Sequence, residues 1–416
     1  MPDRTLTIPH APMSVAWPAK AALSPRSDQP RDHQAAPLPR LREKAALIPM
    51  TGHGNGHEAE YSSTLLAILD KARFAPSGDN TQPWRFEIID DHHLLIHGRD
   101  TRRDCVYDLR GHASQIALGA LLETIAIAAS AYQLTVRFLR RDDSREDQPL
   151  IDAFFAPDSS MKSVALVHEI EERVTQRRPL KTRALTTQQI AALEASLPPG
   201  YRIHWRSSLR DRLRIASLLF RSAHIRLTTR EAYETHRKVI QWNAVTSEDR
   251  IPDRAVGVDP LTRRLMRWAM ASWSRISFLN RFMMGTIAPR LQLDFVPGVR
   301  CASHFFLVAD EPAQSVDDYI ASGRALQRFW LTAAQQGLLV QPEMTPLIFT
   351  QYDREHIAFS ESTRAIARAS RVRTDLESIL SKEVCDRTLF MGRIGFGRVP
   401  VSRSLRLPLE SLMVRG

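Results

Sequence analysis

Residues 73–88 read RFAPSGDNTQPWRFEI. From Pro76 to Pro83 every residue is polar or turn-forming, and the first large apolar side chain after them is Trp84. From there Trp84, Phe86 and Ile88 alternate with Arg85 and Glu87, the period-two pattern of a strand with one buried face. A Gly among short polar side chains leaves backbone N–H and C=O groups open. That suits a surface turn, and equally a loop that holds a polar ring edge or a phosphate. The residues of this loop alone leave both readings standing.

Working outward, the segment 63–74 places Leu65, Leu66, Ile68 and Leu69 on one helical face, with Ser62 or Ser63 as N-cap. Strands are expected at 84–89 and 93–98 around a turn at Asp90, Asp91 and His92. Residues 113–133 are apolar nearly all the way round a helix, which places that helix in the middle of a domain. A strand at 134–141 follows. A similar series starts near Val164: helix, basic turn and helix over 168–198, the second helix capped by Thr186 or Thr187, then a strand at 201–206. A helical stretch with Trp242, Trp268 and Trp273 reads as an inserted cap, before a strand at 303–310 and a helix at 319–337. The fold class expected is α+β, built from two weakly related halves of one duplicated unit. The expected divisions are an extension at 1–58, a first half at 59–160, and a second half at 161–416 with an insert at about 230–295.

At 416 residues and 43% hydrophobic content the chain can build a large core. Its net charge is +11, but Arg is scattered along the whole length and no basic strand is interleaved with aromatics, so nucleic acid is not an expected partner. No apolar run reaches the roughly 18–20 residues of a span, and no membrane partner is expected. Cys105, Cys301 and Cys385 are too far apart for a CxxC pair, and a cytoplasmic location is the expectation. Residues 1–58, rich in Pro, Ala, Arg and His, read as a disordered or loosely docked extension, and His53 to Glu58 as a linker rather than a metal site.

No phosphate-loop, HExxH or GxSxG pattern is present, and no catalytic side chain is assigned. Two basic clusters remain. Arg173, Thr175 and Arg177 alternate after a helix, so two guanidiniums and a hydroxyl converge as a phosphate requires, or form a solvated helix end. Arg403 and Arg406 stand near the C-terminus beside a strand. Asp100, Arg103, Asp108 and Arg110 read as a structural ion-pair net.

Ala75, Pro76, Ser77, Asn80, Gln82, Pro83, Trp84 and Phe86 together resemble the signature loop of the nitroreductase-like FMN-binding proteins, whose usual form is APSxxNxQPWxF. Residues 173–177, RVTQR, are similar to that family's R-x-S/T-x-R/K run, and SLRLPLESL at 404–412 to its terminal R-x-P-L segment. The resemblance runs from about residue 60 to the C-terminus, and it implies a set of FMN contacts. Pro76, Ser77, Asn80 and Gln82 would lie at the ring or its edge. Arg173, Val174, Thr175, Gln176 and Arg177 would grip the phosphate and ribityl groups together with Arg403 and Arg406, and Pro342, Glu343, Met344 and Thr345 would face the flavin ring. Ordinary members carry both runs in one shorter chain that dimerises. Here the first half has the loop without the RxSxR run, and the second has RVTQR without the loop's Asn and Gln. The pattern resembles the tandem Acg-like branch: a pseudo-dimer in one chain, with one divided site. The implied activity is FMN-dependent oxidoreduction of a small conjugated or aromatic molecule, in either direction, with NAD(P)H as candidate donor. A non-enzymatic FMN-sequestering protein, or an accessory redox component working with an adenylating partner, are the alternatives. A monomer or a homodimer fits either. Within the insert, His236, Arg237, Trp242 and Asn243 are candidate substrate-wall residues.

Overall fold

A computed structural model describes residues 56–414. Residues 1–55 of the expected 1–58 extension lie outside the described residues, and with them half of the His53–Glu58 segment. The first helix, α1 (Gly56–Ala72), begins ahead of the expected Ser62/Ser63 cap. Leu65, Ile68 and Leu69 of its apolar stripe are buried, whereas Leu66 points outward at 40% exposure.

Each half is a hairpin, a long helix and two further strands. In the first, β1 (Trp84–Asp90) and β2 (His93–Gly98) lead into α2 (His112–Ser130), then β3 (Leu134–Arg140) and β4 (Leu150–Pro157). The sheet is antiparallel, in the order β1-β2-β4-β3. After α3 (Thr187–Ala195), capped by Thr186 in a reciprocal capping box, the second half repeats the plan. Its elements are β5 (Tyr201–Arg206), β6 (Ser303–Ala309), α8 (Val316–Gln335), β7 (Leu339–Pro342) and β8 (Thr388–Gly395). This sheet runs β5-β6-β8-β7, the same order as the first, again antiparallel. Between β5 and β6 lie α4 (Leu209–Thr228), α5 (Arg230–Val239), α6 (Pro260–Ala269) and α7 (Trp273–Phe282). Between β7 and β8 lie α9 (Thr345–Arg354) and α10 (Thr363–Leu380).

The sequence reading omitted β4, β7 and β8. β4 pairs on both sides, and its Ile151, Ala153 and Phe155 alternate into the first core. The two long helices pack on each other at the centre. α2 is long and apolar enough to cross a membrane, yet most of its apolar surface is buried against protein. Gly119 on α2 lies against the Ile320 carbonyl, and Gly323 on α8 against the Ile116 carbonyl, so a Cβ on either would meet backbone. Across the same seam Gln327 donates to Thr124 at 2.9 Å, and Glu123, buried, is held by Arg324 at 2.9 Å and by Arg328.

The halves also exchange their trailing segments. Residues 173–181 leave the first half and join the second sheet, Thr175 bridging to Val340 and Lys181 to Phe396. The chain's end returns to the first sheet: Met413 bridges to Phe86, and Val414 N donates to the Phe86 carbonyl at 2.8 Å. Leu412 is fully buried in the first core. The chain's end, which the sequence reading assigned to the second half, therefore packs Leu407, Leu409, Leu412 and Met413 into the first core and pairs Met413 and Val414 with β1.

Asp100, Arg103, Asp108 and Arg110 do not pair with one another. Asp100 takes Arg102, Arg103 reaches Asp147, and Arg110 reaches Glu355. Asp108 instead accepts from Thr101 and Ser114, fastening the approach to α2.

Candidate functional site

A cavity of about 920 Å³ opens between the halves, within the size range of cofactor and ligand sites. Its wall takes in the 74–80 loop, α2, residues 173–177, α4 and α5, α6 and α7, α8, the 341–345 turn and the 402–406 segment. Thirteen of the fifteen residues expected to bind cofactor line it; Gln82 and Gln176 do not.

The loop itself is held under strain. Asp79, Asn80 and Gln82 sit at φ +51°, +62° and +47°, the left-handed region that non-glycine residues enter at a cost of order 1 kcal/mol each. Side chains hold it there. Asn80 Nδ2 donates to the Glu248 carbonyl at 2.9 Å and the Leu405 carbonyl at 3.1 Å. Gln82 Nε2 donates to the Glu248 carbonyl at 2.8 Å, and its Oε1 accepts from Leu407 N at 2.9 Å. Ser77 Oγ accepts from Gln82 N at 3.0 Å. The Asn and Gln thus bind the loop to the insert and to the C-terminal segment. Gln176 works alike on the other half, donating to the Arg398 carbonyl and accepting from Arg178 N. Asn80 Oδ1 is buried without a partner.

At one end of the cavity three arginines converge. Arg173 Nη2 and Arg406 Nη2 donate to a single acceptor, the Phe74 carbonyl, at 3.0 and 3.2 Å. Arg406 Nε reaches the Ala75 carbonyl at 3.1 Å, and Arg403 Nη2 the Glu171 carbonyl at 2.6 Å. Arg173 also stacks over the Trp330 ring, 4.7 Å from its centroid. None of the three makes an ion pair among the described residues. Burial and then the neighbouring Arg406 and Arg403 drive the Arg173 guanidinium well below its usual range, and burial with Arg403 and Arg73 pulls Arg406 down to about 9. The Nε atoms of Arg173 and Arg403 are buried and unpartnered. Desolvated cations without a counter-charge cost several kcal/mol, so this corner is built for an anion.

Below the 342–345 turn lies a buried triad. Glu343 accepts from His304 Nδ1 at 2.7 Å and from Arg393 Nη1 at 2.8 Å, while His304 Nε2 meets the Gly298 carbonyl at 2.8 Å. With an acceptor at each ring nitrogen, His304 is an imidazolium. Burial alone would lower it, but Glu343 raises it to about 10. Glu343 is in turn held below the usual carboxylate range by His304 and Arg393, against the opposing effect of burial. The side chain of Glu343 thus anchors the turn from beneath, and Met344 and Thr345, at the start of α9, line the cavity.

A second polar cluster, which the sequence reading did not assemble, also lines the cavity. Tyr107 Oη lies 3.2 Å from His236 Nε2, their rings stacked at 5.6 Å. Arg226 binds Asp294 at 2.6 and 2.8 Å. Burial, then Arg226, holds His236 down to about 3, so its imidazole is neutral at ordinary pH. Burial raises the Tyr107 phenol and the Asp79 carboxyl. His236 was among the insert candidates, but Tyr107, 129 residues away, carries no sequence signal of the pairing. Of the other insert candidates, Asn243 accepts from Arg267, and neither it nor Arg237 or Trp242 lines the cavity. No metal-ligand cluster occurs among the described residues.

No family model matches the chain. An uncharacterized protein, MT1398, of Mycobacterium tuberculosis (strain CDC 1551 / Oshkosh) is 26% identical over 348 residues, covering 80% of this chain and 47% of the relative. The chain therefore spans about half the length of that curated relative. Among solved structures it is similar to a candidate nitroreductase of Anabaena variabilis (9% identity, TM-score 0.42, 83% of this chain and 90% of that one). It is also similar to the FMN-dependent nitroreductase NfnB of Mycobacterium smegmatis in complex with NADPH (14%, TM-score 0.31, 58% and 94%). A third is a nitroreductase with bound FMN from Bacteroides fragilis (9%, TM-score 0.31, 57% and 90%).

Proposed function

We propose that the chain is an FMN-dependent oxidoreductase of the nitroreductase-like kind, acting on a small conjugated or aromatic molecule. One observation carries this: Arg173, buried, and Arg403 and Arg406, half-buried, converge with no ion-pair partner among the described residues on one end of a cavity of about 920 Å³ between two like halves. The motif resemblance names the anion that fits there, the phosphate of FMN. When bound, the flavin supplies reversible two-electron chemistry.

The chain's residues divide the remaining work. Arg173, Arg403 and Arg406 neutralise the phosphate, with Thr175 as a neutral donor. In the 342–345 turn, fixed from beneath by the Glu343 triad, Pro342 has no N–H and the Glu343 N–H is taken by the Met391 carbonyl, so Met344 and Thr345 would be the backbone donors to the ring edge. Tyr107 and His236 hold a proton at the Tyr107 oxygen, where a reacting oxygen or nitrogen of the substrate can exchange it. The insert helices exclude water. NAD(P)H is the proposed electron donor, the cytoplasm the proposed location, and a monomer containing its own pseudo-dimer the proposed working unit.

The purified protein is expected to be yellow, to bleach with NAD(P)H, and to recover with a nitroarene or quinone acceptor. No flavin band, and none on adding FMN, would overturn the assignment. A flavin band unchanged by reductant would favour FMN storage instead. The test of the accessory-component reading is activity that appears only with an adenylating partner.

A further inference from the structure

The outer face of the insert is apolar and basic at once. From Pro260 to Gly285 the chain has five Arg and no Asp or Glu. Two amphipathic helices, α6 and α7, make up most of this stretch. Large apolar side chains stand out of it: Leu261 is 76% exposed, Phe282 65%, Met283 64% and Met284 68%, with Leu265, Trp268 and Phe278 about half exposed. Among them stand Arg264, Arg267, Arg275 and Arg281, all exposed. None of these four is ion-paired among the described residues. Two lie over aromatic rings of the same face instead, Arg275 over Trp268 and Arg281 over Phe282. The face is continuous with the cavity: Leu265, Trp268, Phe278, Met283 and Met284 line it as well as reaching the surface.

Charge decides what can cover such a face. Residues 1–55 carry seven Lys or Arg against four Asp or Glu, so the chain's own extension is repelled. A second copy would bring the same basic face. Nucleic acid answers the charge but leaves the Leu, Phe and Met side chains unburied. A surface both anionic and apolar just beneath answers both, and that is a bilayer with acidic headgroups.

We propose that α6 and α7 seat the protein on anionic lipid surfaces, with the cavity mouth facing the bilayer, so that a lipophilic conjugated molecule passes from lipid to cavity without crossing water. This is peripheral association through the insert, and it does not depend on the flavin assignment.

Co-sedimentation of the full chain with vesicles tests it, using phosphatidylcholine alone and phosphatidylcholine mixed with phosphatidylglycerol, at low and high salt. Binding is expected to the acidic vesicles only, and to fall with salt. The double variant Arg264→Glu/Arg281→Glu should weaken it by about ten-fold or more, and Leu261→Asp/Phe282→Asp, neither residue lining the cavity, should abolish it. Both change exposed side chains, so circular dichroism and flavin content should match the parent. The proposal is overturned by absence of vesicle binding, by equal binding to neutral vesicles, or by variants that leave binding intact. It is equally overturned if the same variants abolish self-association or DNA binding while vesicle binding is absent.

Discussion

Gly119 and Gly323 occupy matching places on the two central helices, each lying against the carbonyl three residues before the other. The reciprocity is what an internal two-fold axis between duplicated units produces. It joins the shared strand order and the exchanged segments as marks of two like halves in one chain.

The contact sets the sign of a substitution. In an unobstructed helix, Gly→Ala stabilises by about 0.5–1 kcal/mol. Here Gly323→Ala drives its methyl group into backbone, and overpacking of this kind costs about 1–3 kcal/mol or more. Thermal unfolding of Gly119→Ala and Gly323→Ala should show a lowered Tm for both; a raised Tm in either would mean the helices do not cross this closely.

For the arginine corner, affinity and stability should move in opposite directions. Charge-assisted hydrogen bonds contribute about 1.5–3 kcal/mol each, so Arg173→Ala with Arg406→Ala should weaken FMN binding at least 100-fold, read by flavin titration. Each variant also removes a desolvated cation that has no counter-charge. The flavin-free double variant should therefore melt no lower than the flavin-free parent. A large drop in Tm would make the two arginines structural.

His304 gives a pH dependence of defined sign. Its folded-state pKa of about 10 lies above the ordinary value of 6.5, so the folded state holds the extra proton between them. The stabilisation is full below about 6.5 and is lost as pH rises through 10. Glu343, held below its usual range, loses its contribution only on the acid side. Denaturant unfolding at a series of pH values should show stability falling from neutral to pH 10. In His304→Phe that fall should be absent, with an overall loss of about 3–5 kcal/mol for leaving Glu343 with one partner fewer.

Tyr107 and His236 predict a split between binding and turnover. Tyr107→Phe should leave flavin content unchanged and lower kcat about 100-fold if its proton is used in the reaction. Because His236 is held neutral down to about pH 3, the pH–rate profile should show no histidine inflection between 5 and 8. An inflection near the ordinary histidine value that vanishes in His236→Gln would mean the ring is exposed and charged in solution.

Much of this was readable from residue type and spacing. The all-round apolar character of 113–133 marked the central helix, and Arg173 does share a corner with Arg403 and Arg406, whereas Arg177 has Asp79 and Arg393 as its charged neighbours instead. The α+β class with two like halves is observed. What escaped has a common physical origin in long-range partners. Gln82 reads as a ligand contact, but its amide is taken by backbone 166 and 325 residues away. Tyr107 and His236 are unremarkable singly. β7 is four residues long, too short for a period to register, and β4 lies beyond a charged turn that masked its alternation. Asp100, Arg103, Asp108 and Arg110 were close in sequence and still chose other partners.

The Phe74 carbonyl, shared by Arg173 and Arg406, joins the first half to cations from the inter-half segment and from the chain's end. In two separate subunits such a junction would come apart on dilution, and anion affinity would fall with protein concentration. Joined in one polypeptide, the pieces meet at a tethered effective concentration of about millimolar. The corner's three arginines, and the carbonyl that two of them share, therefore need no second molecule to meet, at nanomolar concentration or in a crowded cell.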